Sequence, residues 1–174
     1  VVGRGVDQGW RTSSSAGGGG PLIDNGYHQI YCAVDYLQSP AKRVFARIGR
    51  YIHDIDVEDT ALLLIEHENG ATTSIQVGWS APAGGVRVEE IYGNRGQIRL
   101  GGESPISVWR QETGSWMPIE VEPEGHDEVG FPVLAAAFID ALSSQSDVPV
   151  QAEAARHVLA IVRAAYDSGA SGQP

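Results

Sequence analysis

Asp24 and His28 stand four residues apart in the stretch PLIDNGYH, residues 21 to 28. On a helix that spacing puts both side chains on one face, and Tyr31 and Asp35 continue the same polar stripe. A carboxylate beside an imidazole favours the protonated ring and orients it, which suits a histidine that takes up a hydroxyl proton near neutral pH. The same spacing also describes an ordinary ion pair on a solvated helix face, and spacing alone leaves both readings open. Gly17 to Gly20 directly precede the pair, where backbone can approach a ligand closely.

The other chemically suggestive stretches read differently. In VVGRGV, residues 1 to 6, Gln8 stands where the third glycine of a dinucleotide loop belongs and no strand precedes it, so no nucleotide site is expected there. HDIDVEDT, residues 53 to 60, gathers His53, Asp54, Asp56, Glu58 and Asp59, all hard-metal ligand types. It lacks the glycine and closing glutamate of a calcium loop, so the acids are expected to stay solvated and no metal is assigned. His67, His126 and His157 show no partner spacing, and Cys32 falls on the side wall of the first helix rather than beside His28. With no G-x-S-x-G elbow either, nucleophilic hydrolysis has no support. Lys42 is the only lysine, which restricts mechanisms that need a lysine acid or a Schiff base.

The elements that must position Asp24 and His28 follow from periodicity. Residues 1 to 20, rich in glycine and serine, read as loop. From Pro21, Ile23, Tyr27, Ile30, Val34 and Leu37 recur at helical spacing until Ser39-Pro40, predicting a helix over about 21–38. Seven strand-length pieces follow, at 43–49, 60–70, 71–80, 86–93, 96–100, 106–110 and 115–121. Ile75, Val77 and Trp79 alternate with polar or small residues, as one buried sheet face requires, and HENGAT reads as an Asn-Gly hairpin turn. Two helices close the chain, one striped by Phe131, Leu134, Ala135, Phe138 and Leu142, the other by Ala155, Val158, Leu159, Val162 and Tyr166 and ending at Gly169. The expected fold is α+β, a mostly antiparallel open sheet with helices packed on one face.

Composition bounds what such a domain does. The 174 residues suit one domain, and 12 Lys plus Arg against 22 Asp plus Glu, a net charge of -10, disfavour nucleic acid as a partner. No apolar run approaches the roughly 20 residues of a membrane span. A lone cysteine precludes an internal disulfide and fits a reducing compartment, so a cytoplasmic location is expected. The chain opens Val1-Val2-Gly3 and its only methionine is Met117, so upstream sequence is expected.

These residues carry a resemblance. Trp10-Arg11, then glycines, then Asp24, Gly26 and His28 resemble the start of the C-terminal domain of the glucose-fructose oxidoreductase, inositol dehydrogenase and MocA family. DVEDTALLLIEHENGATTSIQVGWS, IYGNRGQIRL and AEAARHVLAIVRAAYDSGASGQP resemble later pieces of that domain, in the family's order. The resemblance implies hydride transfer between a sugar-like or polyol hydroxyl and NAD or NADP. It implies Asp24 and His28 as the catalytic pair, Trp10 and Arg11 on the substrate side together with Tyr31 on the polar stripe, and homo-oligomers formed through the open sheet face. It also implies that the cofactor is bound mainly by a missing N-terminal Rossmann domain. Residues 1–20 would continue from that domain and residues 21–174 would form the substrate-binding and oligomerisation domain. The family's catalytic lysine is expected upstream too, since Lys42 is followed by Arg43. Neither a cofactor nor a metal is expected in this chain alone. Two readings stay open, part of a full oxidoreductase or a standalone, non-catalytic binding or oligomerisation module.

Overall fold

The computed structural model describes residues 9–81, 88–120 and 130–174. The chain divides into two compact units, Val1–Ala83 with Asp140–Pro174, and Gly84–Ile139. VVGRGV and His126 lie outside the described residues.

In the first unit, a 3₁₀ turn at Trp10–Thr12 and the one-turn α1 at Ser14–Gly17 lead to a π-helical turn at Leu22–Gly26, which runs into α2 at Tyr27–Leu37. Strands β1 (Ala41–Gly49), β2 (Thr60–His67) and β3 (Thr72–Gly78) form an antiparallel sheet in that order, and α4 (Ala152–Ser171) returns over it. Val44 and Ala46, then Ala61, Leu63 and Ile65, then Ile75 and Val77 alternate with exposed residues and share one buried face. Leu22 and Ile30 from the first helix and Val158, Ile161, Val162 and Ala165 from α4 cover that face. Full burial of a side chain such as Leu63 or Ile65 stabilises the fold by about 1.5–3 kcal/mol.

The β2–β3 hairpin closes at the expected Asn-Gly. Gly70 donates to the His67 carbonyl at 3.0 Å and takes a φ of 84, while Asn69 Oδ1 accepts from the Ala71 N–H. Positive φ falls on the glycine alone, giving a three-residue loop rather than a two-residue turn.

In the second unit, β4 (Glu89–Gly93), β5 (Gly96–Leu100), β6 (Ile106–Arg110) and β7 (Ser115–Pro118) form a four-stranded antiparallel meander. Its register lines Tyr92, Gln97, Trp109 and Trp116 across one face and Ile91, Ile98, Val108 and Met117 across the other. The Arg99 guanidinium lies 4.2 Å from the Trp116 ring centroid and bonds Glu90 at 2.7 Å. The Tyr92 hydroxyl, then Arg99, hold the Glu90 carboxyl below the usual carboxylate range.

The fold is α+β and, among the described residues, antiparallel throughout, with five details corrected. Among the described residues the seven strands form two sheets rather than one, because each bonds its neighbour in sequence and none joins β3 to β4. Residues 10–17 are helical turns rather than loop, with Asp56 bonded to the start of α1. The buried stripe of α4 is Val158, Ile161, Val162, Ala165 and Ser168, which leaves Leu159 exposed. The helix also passes Gly169, packed against Ile48, to stop at Gly172. In α3 (Phe131–Ser144) the predicted stripe is exposed and Ala141 is the buried residue. No helix among the described residues is long and apolar enough to cross a membrane.

Candidate functional site

A helix N-terminus presents backbone N–H groups that have no partner inside the helix. At Gly20-Pro21 no side chain can cap them, and the acceptor comes from 38 residues further along the chain. Glu58 Oε2 accepts the Gly20 N–H at 2.9 Å and Oε1 accepts the Leu22 N–H at 3.0 Å. The Glu58 residue is only 8% exposed, and its carboxylate takes a third bond, at 2.9 Å, from the Tyr166 hydroxyl of α4. Its charge also suits the positive end of the helix dipole. Burial, then the charge of Glu58, push the Tyr166 hydroxyl well above its ordinary range, so it stays a donor.

The glycines before the helix are required by space. A Cβ on Gly20 would overlap the Glu58 carbonyl oxygen, and one on Gly19 the Tyr166 hydroxyl. The close backbone approach that the sequence offers to a ligand is thus made to the protein itself.

Asp56 and Asp59 are likewise bonded to the protein itself. Asp56 Oδ2 accepts the Ser14 hydroxyl at 2.7 Å and the Ser14 N–H at 2.9 Å, and these bonds hold its carboxyl below the usual range. Asp59 is fully buried. Desolvation opposes its charge, but the N–H groups of His53, Ile52 and Tyr51 and the Thr60 hydroxyl outweigh it, and its carboxyl also sits below the usual range. The expectation that this acidic stretch stays solvated is therefore corrected for Glu58 and Asp59. Among the described residues no group of three His, Cys, Asp or Glu side chains is placed to hold a metal.

On this anchored start stand the residues singled out for chemistry. Asp24 lies in the π turn, its N–H bonded to the Gly20 carbonyl at 3.1 Å. Gly26 lets that turn lie close to the sheet, since a Cβ there would sit 3.0 Å from Leu22 Cδ1 and 3.4 Å from Val77 Cγ2. Asn25 Oδ1 accepts the Trp79 indole N–H at 3.1 Å, a second tie to the end of β3. Asp24 Oδ1 is 3.8 Å from Arg11 Nε, and the Arg11 guanidinium lies 4.5 Å from the Trp10 ring centroid, so Trp10, Arg11 and Asp24 meet.

His28 is exposed and edge-on to Tyr27, with ring centroids 5.9 Å apart. Asp24 and His28 do not form an ion pair among the described residues. The wider π turn takes Asp24 out of the α-helical four-residue relation, and Arg11 is its partner instead. Tyr31 is half-buried and packs against the core, and the Gln38 amide bonds Asp35.

Among the described histidines His28 alone is exposed. His67 is buried between the Ser39 carbonyl and the Thr73 hydroxyl, at 3.0 and 2.9 Å. His157 Nε2 accepts the Ala41 N–H at 3.1 Å, and His53 lies 3.3 Å from the Trp79 carbonyl. The arrangement offers a solvent-facing imidazole four residues along the chain from a carboxylate that pairs with a guanidinium, groups that can bind hydroxyls and move a proton. Sequence reasoning missed Glu58 and Tyr166. The usable signal is a predicted helix without a capping side chain, which obliges some distant carboxylate to serve.

This domain has close structural counterparts. An NAD binding oxidoreductase from Klebsiella pneumoniae superposes with a TM-score of 0.84 at 17% identity, over 97% of this chain and 53% of its own. The aldose-aldose oxidoreductase from Caulobacter crescentus, complexed with glycerol, gives 0.82 at 19% identity, over 97% and 51%. A levoglucosan dehydrogenase in complex with NADH and levoglucosan gives 0.82 at 22%, over 97% and 53%. At these identities the likeness is one of fold, and the chain spans about half the length of each. No curated protein matches it in sequence. The GFO/IDH/MocA C-terminal domain model matches residues 2–99, more than half of the chain, and the chain belongs to that family.

Proposed function

We propose that this chain is the substrate-side half of a cytoplasmic NAD(P)-dependent oxidoreductase that acts on a CH–OH group of a sugar-like or polyol substrate. One observation supports this above the others: Asp24 and the exposed His28 stand on a helix start that Glu58 and Tyr166 tie to the rest of the unit, and Arg11, stacked on Trp10, reaches Asp24. His28 accepts the carbinol proton as the C=O bond forms, and returns it in the reverse direction. Asp24 and Arg11 bind neighbouring hydroxyls, with Trp10 and Tyr31 completing the substrate side.

Bound NAD(P) would supply the hydride acceptor or donor. The glycine run at 17–20 does not fit its pyrophosphate, because the Gly20 and Leu22 N–H groups that would cradle a phosphate already bond Glu58. The cofactor accordingly belongs to an N-terminal Rossmann domain, which residues 1–20 would join to the substrate-binding and oligomerisation domain at 21–174. Self-association through the bare face of the β1–β3 sheet completes the reading, and it is the property that a purely assembling module would share.

The test is His28→Ala in the enzyme that contains both halves. A positioned acid/base predicts a loss of kcat on the order of a hundredfold to ten-thousandfold with stability within about 0.5 kcal/mol, and a smaller loss for Asp24→Asn. Near-normal turnover by the alanine variant overturns the assignment and leaves the assembling module.

A further inference from the structure

We infer that Glu58 is a positioning residue for the Asp24 and His28 helix, an inference that rests on the reading of that helix as the catalytic face. Two consecutive bonds lead from Glu58 to Asp24. The carboxylate accepts the Gly20 N–H, and the Gly20 carbonyl accepts the Asp24 N–H. The other carboxylate oxygen holds Leu22, the first residue of the π turn that carries Asp24.

This contact differs from a generic cap in three respects. It joins the sequence before β2, the start of the first helix and, through Tyr166, α4, so three elements converge on one carboxylate. The absent Cβ atoms of Gly19 and Gly20 leave the space this close approach needs, since either would overlap the Tyr166 hydroxyl or the Glu58 carbonyl oxygen. Finally, both donors belong to the two residues flanking Pro21, which has no N–H of its own. Both donors beside Pro21 therefore point at Glu58, and the next one, the Ile23 N–H, faces the Tyr166 hydroxyl that itself bonds Glu58. Losing the carboxylate frees the turn on which the orientation of Asp24 depends, and with it the entry of the helix that bears His28.

The experiment is NMR on the chain as it stands, well below its melting temperature. It reads amide hydrogen exchange at Gly20, Leu22 and Asp24 and the His28 Cε1–Hε1 signal, in the parent, in Glu58→Gln and in Tyr166→Phe. The glutamine places an NH2 group against a backbone N–H. Glu58→Gln is expected to speed exchange at those amides about tenfold or more and to displace the His28 signal, and Tyr166→Phe to do so to a lesser degree. Val162→Ala, a core variant, supplies a comparable loss of melting temperature and is expected to leave these signals in place. If Glu58→Gln melts early but leaves the exchange pattern and the His28 signal as in Val162→Ala, the contact is merely stabilising and the inference fails. Should Glu58→Gln not fold, Tyr166→Phe decides on the same signals. None of these readouts involves turnover, so an active His28→Ala enzyme overturns the functional reading and not this one.

Discussion

A buried carboxylate is costly unless hydrogen bonds satisfy it, and Asp59 is satisfied entirely by its own neighbourhood. Its oxygens accept the N–H groups of Tyr51, Ile52 and His53, which fold the loop before β2 around it. Because its folded-state pKa lies below the unfolded value, the ionised form contributes stability that is fully present above the unfolded pKa and is lost as pH falls through the lower folded one. Asp59→Asn keeps an acceptor but loses the charge. It should therefore be less stable than the parent by about 2 kcal/mol at pH 6, with the gap shrinking below about pH 4. Urea unfolding of both proteins from pH 6 to pH 3 checks this, and a gap independent of pH would show that the charge carries no weight.

Periodicity made the elements legible and left their joints hidden. All seven strands appear where alternation and turn residues put them, and the Asn69-Gly70 hairpin closes as its sequence demands, because those signals are local. The π turn at Leu22–Gly26 was not legible, since its apolar positions satisfy an α-helical period almost as well and its stability comes from packing on Val77 and bonding to Trp79. Asp24 and His28 lie on the predicted helix, but the partner of Asp24 is Arg11, a residue that resemblance rather than spacing brings to attention. The role of Glu58 depends on a contact across 38 residues, which no local pattern encodes.

The same joint gives a prediction for the glycines. Gly18 has a φ of 79 with open space around its missing Cβ, whereas Gly20 has ordinary φ but no space. Gly18→Ala should cost about 1 kcal/mol through backbone strain alone, and Gly20→Ala about 3 kcal/mol or more, because the turn must leave Glu58. Thermal unfolding of the two variants ranks them, and equal costs would mean that the Gly20 turn moves freely.

At the scale of the molecule, the first unit has one well-covered sheet face and one bare one. Leu62, Leu64 and Phe45 are 50%, 51% and 42% exposed on the bare side. The register makes them contiguous, with Phe45 opposite Leu64 and Leu62 between Arg47 and Gln76. Lys42 and Arg43 each reach Glu66 at 3.4 Å, giving the patch a charged border at one end. An apolar patch with a polar edge is what a two-fold interface uses, because each copy can present the same surface to the other. Self-association through this face predicts that the parent chain runs above its monomer mass of 18.5 kDa in light scattering and that Leu62→Lys with Leu64→Lys returns it to the monomer. Both side chains point away from the helix-covered core, so the double variant should keep its fold, with stability within about 1 kcal/mol of the parent monomer. A parent that stays monomeric at high concentration contradicts the prediction, as does a double variant that keeps the parent's mass while folded.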